Sequence, residues 1–170
     1  MMTVSSLDQD IRARDIERVL RDYHHRRGDL FFTEVCCGRN GSFAQGMRGR
    51  GARAPRMDAL AIPRRWDRII VMAYEIKISR ADFRHDDKWV EYLNWCNRFY
   101  FATPKGLLTQ DEIAELRDSG VGVVEVRRQV NKPKLLTCRF TSAAAVAPFV
   151  GGHIPWELYH TLLLNKVRGG

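Results

Sequence analysis

Residues 56–78, RMDALAIPRRWDRIIVMAYEIKI, carry the reading from which the fold follows. Two runs of β formers, 56–62 and 68–78, flank a turn over 63–67. The second run is apolar enough for a central strand. It nevertheless holds Glu75 and Lys77, and the first run holds Asp58. Alternate residues of a strand share a face, so Glu75 and Lys77 point the same way, about 6–7 Å apart. Pairing of the two strands can set Asp58 opposite Glu75. Two carboxylates and an ammonium gathered near the end of a sheet are costly without a ligand, because like charges repel and desolvated charge is unfavourable. A divalent cation relieves that cost, and magnesium or manganese is satisfied by a few protein oxygens plus water. The pattern therefore points to Asp58, Glu75 and Lys77 as catalytic residues. Asp58, Glu75 and the Ile76 carbonyl would be the ligands of Mg²⁺ or Mn²⁺. Such a cation polarises a scissile phosphate and lowers the pKa of water. Lys77 can orient that water or stabilise transition-state charge. The bland alternative is a weak, exposed Glu–Lys pair on a strand.

Outward from this stretch, residues 7–27 read as a helix on the spacing of Ile16, Val19, Leu20 and Tyr23, with Ser6 or Asp8 as its cap. Residues 30–37, LFFTEVCC, read as a strand, which completes an antiparallel meander with 56–62 and 68–78. Residues 39–55 read as a flexible basic loop, rich in glycine and arginine. On the other side, residues 80–96 read as one helix and 98–103 as a strand. That order suggests a right-handed crossover to a parallel neighbour. A helix over 109–118 follows, then a strand over 121–127 at a sheet edge. One strand is expected at 135–140 and a helix over 155–167. The whole reads as one domain, 1–170, of the α/β class with a mixed central sheet.

A chain of 170 residues, 45% apolar and 28% charged, can bury a core without staples. The four cysteines, Cys36, Cys37, Cys96 and Cys138, form no CxxC pair. They read as reduced thiols of a cytoplasmic protein. The five histidines lack metal-ligand spacing. No apolar run is long enough for a membrane span, and no secretory leader is recognisable. No Walker-type glycine loop is present, so ATP use is not expected. A net charge of +8 favours a polyanionic partner.

The order helix, three-strand meander, helix, strand resembles the PD-(D/E)xK nuclease superfamily, with Asp58 and Glu75-Ile76-Lys77 in its motif positions. Met57 stands where the strict motif has proline. The run EIKISRADFRHDDKWVEYLNWCNRFYFATP, Glu75–Pro104, more particularly resembles the MmcB-like group. The likeness lies in its D-x-K-W-x-x-Y stretch, Asp86 to Tyr92, and in a cysteine and aromatic strand ending in proline. The resemblance implies a restriction-endonuclease-like three-layer core. It also implies a metal-dependent DNA endonuclease acting in DNA repair. A non-catalytic DNA-binding module on the same fold is the alternative. Relatives often add an acidic residue from the first helix or the preceding strand, which makes Glu17 and Glu34 candidates, with Glu34 preferred as a fourth catalytic residue.

Arg48, Arg50 and Arg53, in the basic loop, are candidates for DNA phosphate contacts. Ser79, Arg80 and Lys88 follow the catalytic strand and join them. Ser79 could instead cap the helix after it, and Lys88 could pair with Glu91. Asp82, Asp86 and Asp87 read as helix-start acids. Trp89, Tyr92 and Trp95 read as packing residues. A homodimer with two sites is left open.

Overall fold

The computed structural model describes residues 10–37, 56–65, 68–129 and 131–149, with short pieces at 154–155, 158–159 and 162–163. Among these residues six strands form a single mixed sheet in chain order. Helix α1 (Ala13–His25) leads into β1 (Leu30–Cys36), β2 (Arg56–Ile62) and β3 (Met72–Ile76), an antiparallel meander. Short helices α2 (Arg80–Arg84) and α3 (Trp89–Tyr92) cross to β4 (Arg98–Pro104), which lies parallel to β3. Helix α4 (Gln110–Asp118) leads to β5 (Gly122–Gln129), parallel to β4, and β6 (Lys132–Ser142) closes the sheet antiparallel to β5.

Period-2 alternation sorts the strands' side chains onto two faces. Tyr74, Tyr100, Val124 and Val126 pack with Ile16, Val19 and Leu20 of α1. Met57, Ala73, Phe99 and Phe101 pack on the opposite side with Tyr92, Trp95 and Cys96. Glu75 belongs to this second face by its alternation with Tyr74. Ile113 of α4 covers Val123. Helix α4 starts cleanly: the Glu112 amide donates to Thr109 Oγ1 at 3.2 Å, and the Thr109 amide donates to Glu112 Oε2 at 2.8 Å. Gly122 is required where it stands. A Cβ there would lie 2.3 Å from the Tyr100 ring and 2.7 Å from the Ala144 amide.

A buried polar chain anchors α1 to the back of β3. His24 Nδ1 lies 2.7 Å from Asp29 Oδ2, and its Nε2 lies 2.8 Å from the Tyr74 hydroxyl. The Arg64 amide donates to the other Asp29 oxygen at 3.0 Å. Burial pushes the His24 pKa down, against the hydrogen bond it donates to Asp29. A neutral imidazole bonded to a carboxylate at Nδ1 keeps its proton there, so Nε2 accepts from Tyr74.

Several expectations change. The helix expected over 80–96 is broken into α2, α3 and a 3-10 turn at Leu93–Trp95. The break falls where Asp86 Oδ1 accepts the Lys88 amide at 3.0 Å, a local side-chain bond that competes with helix. The third strand begins at Met72 and ends at Ile76 instead of spanning 68–78. Residues 122–129 pair on both sides and are not an edge, and the expected strand at 135–140 extends over Lys132–Ser142. Helix α1 starts at Ala13, its first turn closed by the Arg12 amide donating to Asp15 Oδ2 at 3.1 Å, and the expected caps Ser6 and Asp8 lie outside the described residues. The basic loop and most of the expected C-terminal helix lie outside the described residues.

Candidate active site

Strand register does the first part of the assembly. Ala59 pairs with Tyr74, which sets Asp58 at the level of Glu75. Asp58 is fixed there because its Oδ2 accepts the Ile76 amide at 2.8 Å. That bond leaves Oδ1 uncommitted to it. Lys77 stands one residue beyond β3, yet its amide donates to Ala102 O at 3.0 Å and so prolongs the parallel ladder. Its side chain is only 7% exposed and its Nζ donates to Glu75 Oε1 at 3.1 Å.

The ammonium also reaches Asp86 Oδ2 at 2.6 Å, its shortest contact, and lies 3.6 Å from Asp82 Oδ1. Sequence reasoning assigned Asp86 to a helix start. It lies instead in the break between α2 and α3, with a side chain 10% exposed. The site thus gathers four carboxylates near one lysine: Asp58, Glu75 and Asp86, with the half-exposed Asp82 at its rim. Asp86 is the residue that spacing missed, because an acid before a helix looks the same whether it serves the dipole or reaches inward.

The electrostatics are unequal. Burial, and then the Asp58 charge, push the Glu75 carboxyl up to about 7, against the pull of Lys77. Burial also raises Asp58, opposed by the Ile76 amide and Lys77. Burial would lower Lys77, but its bonds to Asp86 and Glu75 outweigh that and its pKa rises. Lys77 is therefore held as an ammonium and shared, which leaves Glu75 under-compensated. Glu75 Oε2 is buried with no hydrogen-bond partner among the described residues. Such an atom is costly unless something binds it. Thr103 Oγ1 is likewise buried and unpartnered. Thr103 follows Ala102, the residue opposite Ile76, so it stands at the level of Lys77.

Other candidates fall elsewhere. Glu34 falls between the Thr33–Ala59 and Val35–Met57 pairs, opposite Asp58 in register, with φ 51°; its side chain is 71% exposed and its ion-pair partner is Arg56 at 3.7 Å. Glu17 pairs with Arg21 on α1 at 2.5 Å. Ser79 caps α2, accepting the Asp82 amide at 3.1 Å. Arg80 is tied to α4 and its approach, donating to Leu107 O at 2.6 Å and Glu112 at 2.5 Å, which commits two of its five N–H donors. Lys88 is exposed beside Asp86. Arg48, Arg50 and Arg53 lie outside the described residues. Among the described residues no group of three His, Cys, Asp or Glu forms a ready metal cage. Two carboxylates are nonetheless an ordinary protein contribution to a magnesium site, which takes its other oxygens from water and substrate phosphate.

The sequence model of one family, described as DNA repair protein MmcB-like, matches residues 49–146, more than half of the chain and all of this site. The chain belongs to the MmcB-like family of DNA repair proteins. This membership points to a role in DNA repair. No curated protein matches it. A solved structure of a protein of unknown function from Silicibacter pomeroyi shares the fold, with a TM-score of 0.55 at 19% identity. The alignment covers 94% of this chain and 88% of that one. No helix among the described residues is long and apolar enough to cross a membrane.

Proposed function

We propose that the chain is a metal-dependent DNA endonuclease of the PD-(D/E)xK type, with its sheet and flanking helices as a restriction-endonuclease-like core. The observation that carries this reading is Glu75 Oε2, a buried carboxylate oxygen without a partner, on the sheet face shared with Lys77 and level with Asp58. Oxygen donors of this kind suit a hard cation. Asp58 and Glu75 would hold Mg²⁺ or Mn²⁺, with the Ile76 carbonyl as a further donor. The cation supplies charge neutralisation and Lewis-acid polarisation of the scissile phosphate.

The protein's own residues do the rest. The Ile76 amide fixes the Asp58 carboxylate on one oxygen and orients the other. Asp86 and Glu75 hold two N–H bonds of Lys77; the third has only Asp82 at 3.6 Å, too far for a hydrogen bond, and would serve an attacking water or a phosphate oxygen. Because both acids keep Lys77 protonated, it acts as a positioned positive charge and not as a general base. Burial of Glu75, Lys77 and Thr103 limits competing bulk water, which strengthens each of these interactions.

The test is incubation of the purified chain with single-stranded, duplex, flap and junction DNA, with Mg²⁺ or Mn²⁺ and with EDTA. Cleavage of at least one substrate that needs the metal, and its loss in Asp58→Ala, is expected. A chain that cuts none of them, or an Asp58→Ala variant that cuts equally well, refutes the reading.

A further inference from the structure

Two arginines outside the catalytic cluster lie on the same face of the sheet. Register carries that face across three strands: Lys77 stands level with Thr103, Thr103 pairs with Glu125, and Glu125 pairs with Arg139. Arg127, two residues along β5 from Glu125, projects to the same side and pairs with Thr137. The opposite side of this hairpin, by contrast, carries Leu136, Cys138 and Phe140 against the α1 core.

A cross-strand Glu–Arg pair would normally neutralise Arg139. Here no such ion pair forms among the described residues: Glu125 Oε1 accepts the Gly106 amide at 3.0 Å and its Oε2 accepts the Thr141 hydroxyl at 2.9 Å. Arg127 and Arg139 are exposed and carry no ion pair among the described residues. Lys132 and Lys134, at the turn of the same hairpin, are also exposed. Exposed arginines left without an ion pair on one face, in a chain of net charge +8, suit an anionic partner and not a lipid core, and in a DNA repair family that partner is the DNA backbone.

We infer that Arg127 and Arg139 form a phosphate-binding strip that seats the DNA backbone leading into the Lys77 site. Three strand spacings separate Lys77 from Arg139, about 14 Å. That distance corresponds to about four nucleotides along a duplex, whose strands each place a phosphate every ~3.4 Å of axis. The strip's role in feeding the cleavage site rests on the nuclease reading, whereas its affinity for DNA does not.

The experiment measures equilibrium binding of a labelled 20-base-pair duplex and its single strand in EDTA, across a salt series. The wild-type chain is compared with Arg127→Gln/Arg139→Gln, with Arg127→Lys/Arg139→Lys, and with Arg14→Gln/Arg18→Gln. The last pair removes the same charge from α1, on the other side of the sheet. Loss of two phosphate contacts should make the slope of log affinity against log salt shallower by about two units. The lysine variant should retain the wild-type slope, and so should the α1 variant. A wild-type slope in Arg127→Gln/Arg139→Gln overturns the inference. So does an equal loss in the α1 variant, which would reduce the effect to net charge. A chain that binds neither DNA form also overturns it. A strip-dependent slope in a chain that cuts no DNA supports the strip while refuting the nuclease reading.

Discussion

Replacing Glu75 by glutamine should change how folding stability depends on pH. The Glu75 carboxyl titrates near 7 in the folded chain, pushed up first by burial and then by Asp58, against an ordinary value of 4.5. A carboxyl raised on folding binds its proton more tightly in the folded state. Its favourable contribution is therefore present below pH 4.5 and is lost as pH climbs from 4.5 through 7. A rise from 4.5 to about 7 corresponds to about 3 kcal/mol across that window. Glutamine keeps the shape and removes the titration. The pull of Lys77 on the Glu75 carboxylate is already contained in that value, which it lowers, and Lys77 itself stays charged across the window. The difference in unfolding free energy, variant minus wild type, should thus rise by about 3 kcal/mol between pH 4.5 and 8. Urea unfolding followed by circular dichroism, in metal-free buffer at half-unit pH steps, gives the two curves. Parallel curves would refute the placement of Glu75 as a buried, under-compensated carboxylate.

Three further outcomes follow from the same geometry. Asp86→Asn removes the shortest contact of Lys77, and single-turnover cleavage should fall about 10- to 100-fold, with partial recovery in Asp86→Glu and little change in DNA affinity. His24→Phe leaves Asp29 and the Tyr74 hydroxyl short of a partner, each costing about 1–3 kcal/mol, which thermal unfolding at neutral pH should show as a clear drop in midpoint. Gly122→Ala drives a methyl into the Tyr100 ring and the Ala144 backbone, and denaturant unfolding should register a loss of about 1–3 kcal/mol or more.

What the sequence disclosed tracks how local the physics was. Glu75 and Lys77 on one face required only that their run be extended, and the backbone stays extended through Lys77 by way of Ala102. Asp58 required the register between two strands as well, and a short connection over 63–71 supplied it. The strand bounds 56–62 were readable because β formers end at Pro63. Asp86 was invisible because its partner, Lys77, is close in space through a helix break that the apolar spacing of Phe83, Trp89 and Leu93 concealed. Glu34 was legible as a charge amid LFFTEVCC, but its left-handed backbone and its pairing with Arg56 depend on the strand register and were not. Arg80 looked available for phosphate because nothing in its neighbourhood announces Glu112, which lies 32 residues away. Thr103 carried a weak signal, the lone aliphatic hydroxyl in RFYFATP, that gains meaning only beside Lys77.

The central claim is that Asp58 and Glu75 together hold a divalent cation. A crystal of the chain soaked in manganese and measured at the manganese absorption edge tests it most directly. An anomalous peak bridging the Asp58 and Glu75 carboxylates, absent from crystals of Glu75→Gln treated identically, is the predicted result. A well-diffracting wild-type crystal with no peak between those two side chains, or with manganese bound only elsewhere, would contradict it.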